Sequence, residues 1–117
     1  MNGQQADGPG IVAGDPFRIV LITAPDEEIG ARLARGLVEE QLAACVNRRG
    51  GWSSTYRWEG RVEEAEEVLL VVKTRASRLE ALVRWLRRAH PYDVPECVAL
   101  EPKAVEGAYA AWWGECC

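Results

Sequence analysis

The chain has 117 residues, 48% of them hydrophobic, and a net charge of -4 from 18 acidic and 14 basic side chains. That length suits one domain with a core of its own, without disulfide staples. The acidic balance argues against a nucleic-acid phosphate binder, whose affinity rests on a basic face. No apolar run approaches the roughly 18 residues needed to cross a bilayer, so no membrane partner is expected. The first residues, MNGQQADGPGIVAGDP, carry neither a basic n-region nor an apolar h-region. Without a secretory signal the expected location is cytoplasmic, where thiols stay reduced.

Residues 1–15 hold Gly3, Gly8, Gly10, Gly14 and Pro9 and read as a flexible tail; the domain is expected over 16–117. Residues 17–23 (FRIVLIT) form a nearly continuous β-prone run and read as a central strand buried on both faces. Thr23 with Asp26 resembles a capping box. Pro25 suits a first helical turn, and Asp26, Glu27 and Glu28 complement the positive end of the helix dipole. Ile29, Leu33 and Leu37 then give one apolar face to about residue 41. Residues 42–47 (LAACVN) resume as a strand, and Arg48, Arg49, Gly50 and Gly51 read as a bulge or bend. The strand continues through Trp52, Thr55, Tyr56 and Trp58, turns at Glu59 and Gly60, and returns over 61–74. The returning strand's core, EVLLVVKT, is again apolar on both faces.

Each arm of this hairpin is about 14 residues, so over 40 Å at about 3.3 Å per residue. A domain of this size is about 30 Å across. The hairpin tip must overhang, exposing Trp52, Tyr56 and Trp58. Pairing with another copy of the chain is the simplest remedy. Residues 77–89 form the clearest helix, with Leu79, Leu82, Val83 and Leu86 on one stripe and arginines on the others. Trp85 lies off that stripe and is a candidate interface residue. Pro91 ends the helix, Pro95 opens a strand at 97–101, and a short helix follows Gly107. The order β-α-β-β-α-β with a short C-terminal helix predicts an α+β, ferredoxin-like sandwich whose first and third strands are central.

No nucleophile–base pair, phosphate loop or HExxH motif is present, so an enzyme is not expected. Glu63, Glu64, Glu66 and Glu67 read as a solvated hairpin tip. Cys45 and Cys97 lie in apolar stretches and read as core residues. Cys116 and Cys117 read as exposed tail thiols, without the CxxC spacing or paired histidine of a metal site. His90, the single histidine, and Glu96 flank a proline-bounded loop, RAHPYDVPE at 88–96. Imidazole with carboxylate suits copper, zinc or nickel, but two ligands are few for a tight site. The alternative is that His90 caps the preceding helix. Lys73 either lines a cleft or snorkels to solvent.

Five stretches in one register carry a resemblance: ITAPDEE at 22–28, LVEEQLAACVN at 37–47, YRWEG at 56–60, EVLLVVKT at 67–74 and HPYDVPE at 90–96. Together they resemble the CutA family of divalent-cation-tolerance proteins. The resemblance implies a ferredoxin-like homotrimer, similar in architecture to PII signalling proteins, with long hairpins reaching across neighbouring subunits. It implies a role in metal-ion tolerance, with copper or zinc as partner. Of the copper ligands proposed in some bacterial members, the glutamate falls on Glu96 and the histidine on His90, but the cysteine falls on Ile22, which cannot coordinate a metal. It also implies an inter-subunit cleft lined by Tyr56, Trp58, Lys73, Tyr92 and Glu96. That cleft supports the alternative of a PII-like ligand-sensing or scaffold protein taking a small ligand or protein partner.

Overall fold

The computed structural model describes residues 8–117. In chain order the elements are β1 (Ile11–Ala13), β2 (Phe17–Ala24), α1 (Glu27–Glu39), β3 (Cys45–Trp58), β4 (Arg61–Arg75), a 3-10 turn (Ala76–Arg78), α2 (Leu79–Ala89), β5 (Val98–Leu100), β6 (Ala104–Glu106) and α3 (Gly107–Cys116). Four strands form an antiparallel sheet in the order β3-β4-β2-β5, and β1 pairs with β6 in a separate two-stranded sheet. The expected β-α-β-β-α-β order runs from β2 to β5, and its first and third strands are central.

The two central strands pair over eight residues, from Phe17 opposite Arg75 to Ala24 opposite Val68. Successive side chains of a strand point to opposite faces. One face presents Val20, Ile22, Ala24, Val68, Leu70 and Val72, all buried against Leu33 and Leu37 of α1 and Leu82 and Leu86 of α2. Each such leucine contributes roughly 2 kcal/mol by leaving water. The other face differs from expectation. Leu21, Leu69 and Val71 are only half-buried, and Val98 and Leu100 on the edge strand β5 are exposed.

The near end of that second face is covered by α3. Phe17 packs on Trp113 with ring centroids 4.6 Å apart, and the Trp113 indole donates to the Thr74 carbonyl at 3.0 Å. Cys116 and Cys117 pack against this cluster instead of forming an exposed tail. Burial is the main cause that pushes the Cys117 thiol up, as it does for Cys97. Cys45 and Cys97 are half-buried, less enclosed than their apolar neighbours suggest. Trp85 is also half-buried, with its ring over Gly36 of α1, so it joins the two helices.

Local chemistry sets the boundaries. Asp26 is the N-cap of α1, its side chain accepting the Ile29 N–H at 2.8 Å. Thr23 stays in β2 and Pro25 precedes the cap, so the expected Thr23–Asp26 box is replaced by an aspartate cap. Glu59 and Gly60 have φ of 51° and 79°, the two-residue turn whose twist matches a hairpin. The register slips between Arg49 and Trp52, where Gly51 has φ 72°, so the expected bulge is present. The hairpin makes the molecule 52 Å long and 25 Å wide. Its radius of gyration is 15.5 Å, against roughly 13 Å for a compact chain of this length.

The tail reading of residues 1–15 needs correcting at its end. Ile11, Val12 and Ala13 pair with Glu106, Val105 and Ala104, so this stretch belongs to the domain. Residues 1–7 lie outside the described part. Three residues show no periodicity, and their partner is some 90 positions away, so the pairing leaves no local signal. Gly14 permits it: a Cβ there would stand 1.9 Å from the Pro102 carbonyl oxygen. A Gly14→Ala substitution is expected to push β1 off β6 and destabilise the fold by about 1–3 kcal/mol. Gly10→Ala, where a Cβ meets nothing within 4 Å, serves as control. Urea midpoints of the two variants check this.

Candidate functional site: a cleft under the hairpin

A cleft of about 610 Å³ opens between the far half of the hairpin and the loop at 91–96. Beyond the bulge, Trp52, Ser54, Tyr56 and Trp58 fall at alternate positions and share one face of β3. Trp52, Tyr56 and Trp58 form one wall, each close to half exposed. Tyr92, Asp93, Val94 and Glu96 form the other, with Thr23 and Glu67 also lining the cleft.

The loop wall is held in place by His90. This side chain is 6% exposed. Its Nε2 lies 2.7 Å from the Thr23 carbonyl oxygen, and its Nδ1 accepts the Tyr92 backbone N–H at 3.1 Å. A carbonyl only accepts, so Nε2 carries the proton and Nδ1 offers its lone pair: the neutral ring has both nitrogens engaged. The His90 backbone N–H closes α2 on the Leu86 carbonyl at 2.8 Å. The Tyr92 ring rests on the imidazole, centroids 4.7 Å apart. The histidine therefore fastens the loop to the end of β2.

These positions sort the expected site residues. Tyr56, Trp58, Tyr92 and Glu96 line one cleft, as a set drawn from β3 and the loop. Lys73 does not line it within the chain. It donates to the Asn47 side chain, six residues along β4 from Glu67 and so about 20 Å away. His90 and Glu96 belong to one loop but not to one ligand set: the ring is buried and engaged, and the carboxylate is exposed on the cleft wall. Ile22 is fully buried among the helices. Among the described residues no three His, Cys, Asp or Glu side chains converge to hold an ion. The donors present fit a loosely held, largely hydrated ion and not a closed chelate.

Glu67, Trp52 and Asp93 also belong to the site, beyond the set expected from sequence. Glu67 sits in an acidic run that reads as solvated, yet its carboxylate accepts the Tyr92 hydroxyl at 3.0 Å. The signal was available in the hairpin. A two-residue turn pairs Trp58 with Arg61, and six residues further down it pairs Trp52 with Glu67, as observed. The Tyr92 hydroxyl is pushed up to about 12 from 10.0, first by burial and then by the hydrogen bond and charge of Glu67.

A family model for the CutA1 divalent ion tolerance protein matches residues 18–116. A divalent-cation tolerance protein CutA of Thermus thermophilus is 46% identical over 97 residues, 83% of this chain and 94% of that one. A solved structure of the Thermus thermophilus protein superposes with a TM-score of 0.80, covering 86% of this chain and 97% of that one. CutA from Synechococcus elongatus superposes with a TM-score of 0.85 at 36% identity, covering 90% and 93%. A chloroplastic CutA 1 of Oryza sativa is 45% identical over 83% of this chain but only 55% of its own length. The chain spans between about half and three fifths of the plant and animal relatives it matches. These matches define a mixed α+β domain of a class named for tolerating divalent ions, not for a catalysed reaction. The chain belongs to the CutA1 family. No described helix is long and apolar enough to cross a membrane.

The raised Tyr92 hydroxyl gives a pH signature. Its folded value lies above its unfolded one, so the stabilisation is complete below pH 10 and is lost as pH rises towards 12. An alkaline titration of tyrosinate absorbance is expected to show one tyrosine ionising near pH 12 in the folded protein. Glu67→Gln should move that step to lower pH.

Proposed function

We propose that the chain acts as a cytoplasmic, ferredoxin-like homotrimer that binds divalent cations weakly and serves in metal-ion tolerance, with the cleft at its subunit boundary. The observation that carries this reading is the unpaired apolar surface. One sheet face holds Leu21, Leu69 and Val71 half-buried beside exposed Val98 and Leu100, and the overhanging hairpin adds Trp52, Tyr56 and Trp58. A surface of this kind on an isolated chain favours association with identical copies. The strand order β3-β4-β2-β5, with both long helices packed in one core against the sheet, supports the ferredoxin-like description.

For the ion, Glu96 offers an open carboxylate, and His90 joins it only when the ring leaves Thr23 and Tyr92. Copper(II) and zinc suit that pair, and water completes the shell. The four cysteines are free thiols, as a reducing cytoplasm keeps them. A second reading, PII-like sensing of a small ligand, is supported by the cleft's size. A CutA structure from Synechococcus elongatus, 34% identical with a TM-score of 0.84, is complexed with a Bis-Tris molecule.

Light scattering at micromolar concentration is expected to give about three times the 13.0 kDa chain mass; a monomeric mass overturns the assembly. Calorimetry with zinc or copper(II) is expected to show about one ion per chain, with Glu96→Gln weakening it about tenfold. Unchanged affinity in that variant removes the carboxylate site. Unchanged affinity in His90→Ala takes the histidine out of the ion's shell and leaves it only its structural role.

A further inference from the structure

We infer that Cys116 and Cys117 form a dithiol site for a soft, thiophilic centre, an organic trivalent arsenical, held by both sulfurs at once. The site stands apart from the cleft and from the divalent-ion reading, because thiol pairs take soft centres where carboxylate and imidazole take harder ones. Adjacent residues have Cα atoms about 3.8 Å apart, so two thiols reach one atom without the fold bringing distant segments together. All four cysteines are free. The other two form no such pair with each other: Cys45 lies on β3 and Cys97 just before β5, the opposite edges of the sheet.

The fold holds this pair in place. Cys116 ends α3 and Cys117 is its C-cap, both half-buried against the cluster of Phe17, Val105 and Trp113. The Cys117 thiol donates to the Trp113 carbonyl at 3.9 Å, and the Arg75 guanidinium donates to the Gly114 carbonyl at 3.4 Å, tying the last turn of α3 to the end of β4. Burial is the first cause that pushes the Cys117 thiol up, and the Arg75 and Arg78 charges pull it the other way, so two cations face the sulfur when a ligand displaces its proton. The pair lies at the end of the sheet that α3 covers within the chain, not on the hairpin or on the uncovered remainder against which copies are placed. Two thiols are too few for a closed zinc site, which takes four ligands. Among the described residues no third His, Cys, Asp or Glu side chain joins them. An arsenic that already carries one carbon substituent needs only two sulfurs. Trp112, half-buried and one turn before Cys116, offers that substituent an apolar surface. With an organoarsenic oxide, both S–H bonds and the arsenic–oxygen bond break and two S–As bonds form. The oxygen leaves as water with the two thiol protons, arsenic stays trivalent, and no electron is transferred.

The probe is phenylarsine oxide, added to the full chain in its assembled state with a phosphine reductant keeping the thiols free. Intact-mass spectrometry is expected to show about one phenylarsenic group per chain. That adduct should survive excess glutathione, a monothiol, and be stripped by 2,3-dimercaptopropanol, a dithiol. Cys116→Ser and Cys117→Ser should each abolish its retention, whereas Cys45→Ser should keep it, with light scattering confirming unchanged assembly. An unaltered chain that yields no adduct resistant to glutathione overturns the inference, and this arm needs no variant, so misfolding cannot obscure it. An adduct retained by both serine variants at 116 and 117, or lost in Cys45→Ser, overturns it as well.

Discussion

Everything in this fold is arranged around the pairing of β2 with β4. Eight consecutive residue pairs, with Val20–Val72, Leu21–Val71 and Ile22–Leu70 at their centre apolar towards both faces, make a ribbon that water must be kept from twice. The helices α1 and α2 cover one face completely, with Ile22, Leu70, Leu33 and Leu82 at its centre. The other face is covered only where α3 lays Trp113 over Phe17. The uncovered remainder, continuous with the edge strand β5, is the physical reason to place identical copies against it.

The same ribbon produces the cleft. Its β4 strand runs on past the sheet, and β3 follows it, so the hairpin leaves the domain that supports it. The bulge at Gly50 and Gly51 shifts the register and puts Trp52, Tyr56 and Trp58 on one face. Opposite them, the loop after α2 would be free to wander without His90. One neutral ring joins the end of β2 to the start of the loop through two hydrogen bonds, and Tyr92 packs at a tilt against it while reaching Glu67. A histidine that suggested metal chemistry is thereby a fastener, and the open acidic and aromatic groups lie a few residues beyond it. Membership of a family named for divalent ions is compatible with this: exposed carboxylates on a cleft wall attract cations without enclosing them.

Much of the architecture was legible because it is periodic. The unbroken β-prone apolar run in EVLLVVKT, the four-residue spacing of Ile29, Leu33 and Leu37, and the turn at Glu59 and Gly60 each encode an element within a short window. The site was legible in part. Tyr56, Trp58, Tyr92 and Glu96 do share one cleft, whereas Glu67 was hidden in a charged run whose neighbours are solvated. Lys73 looked equivalent to these residues along the chain but stands at the other end of its strand. The β1–β6 pair escaped notice because two three-residue segments hold no period and meet only through the folded domain.

The sequence by itself determined the order of elements from β2 to β5, the central place of the two doubly apolar strands, the overhanging hairpin and the CutA1 likeness, since each is written in local pattern or contiguous motif. Only the tertiary structure decided what His90 does. A ring's hydrogen bonds depend on which carbonyl and which amide stand 2.7 and 3.1 Å away, and Thr23 is 67 residues distant in the chain. It likewise decided that Glu67 joins Tyr92 and that Ile22 is sealed in the core. Contacts between segments remote in sequence are set by how the layers pack, and packing has no spelling in any single stretch of residues.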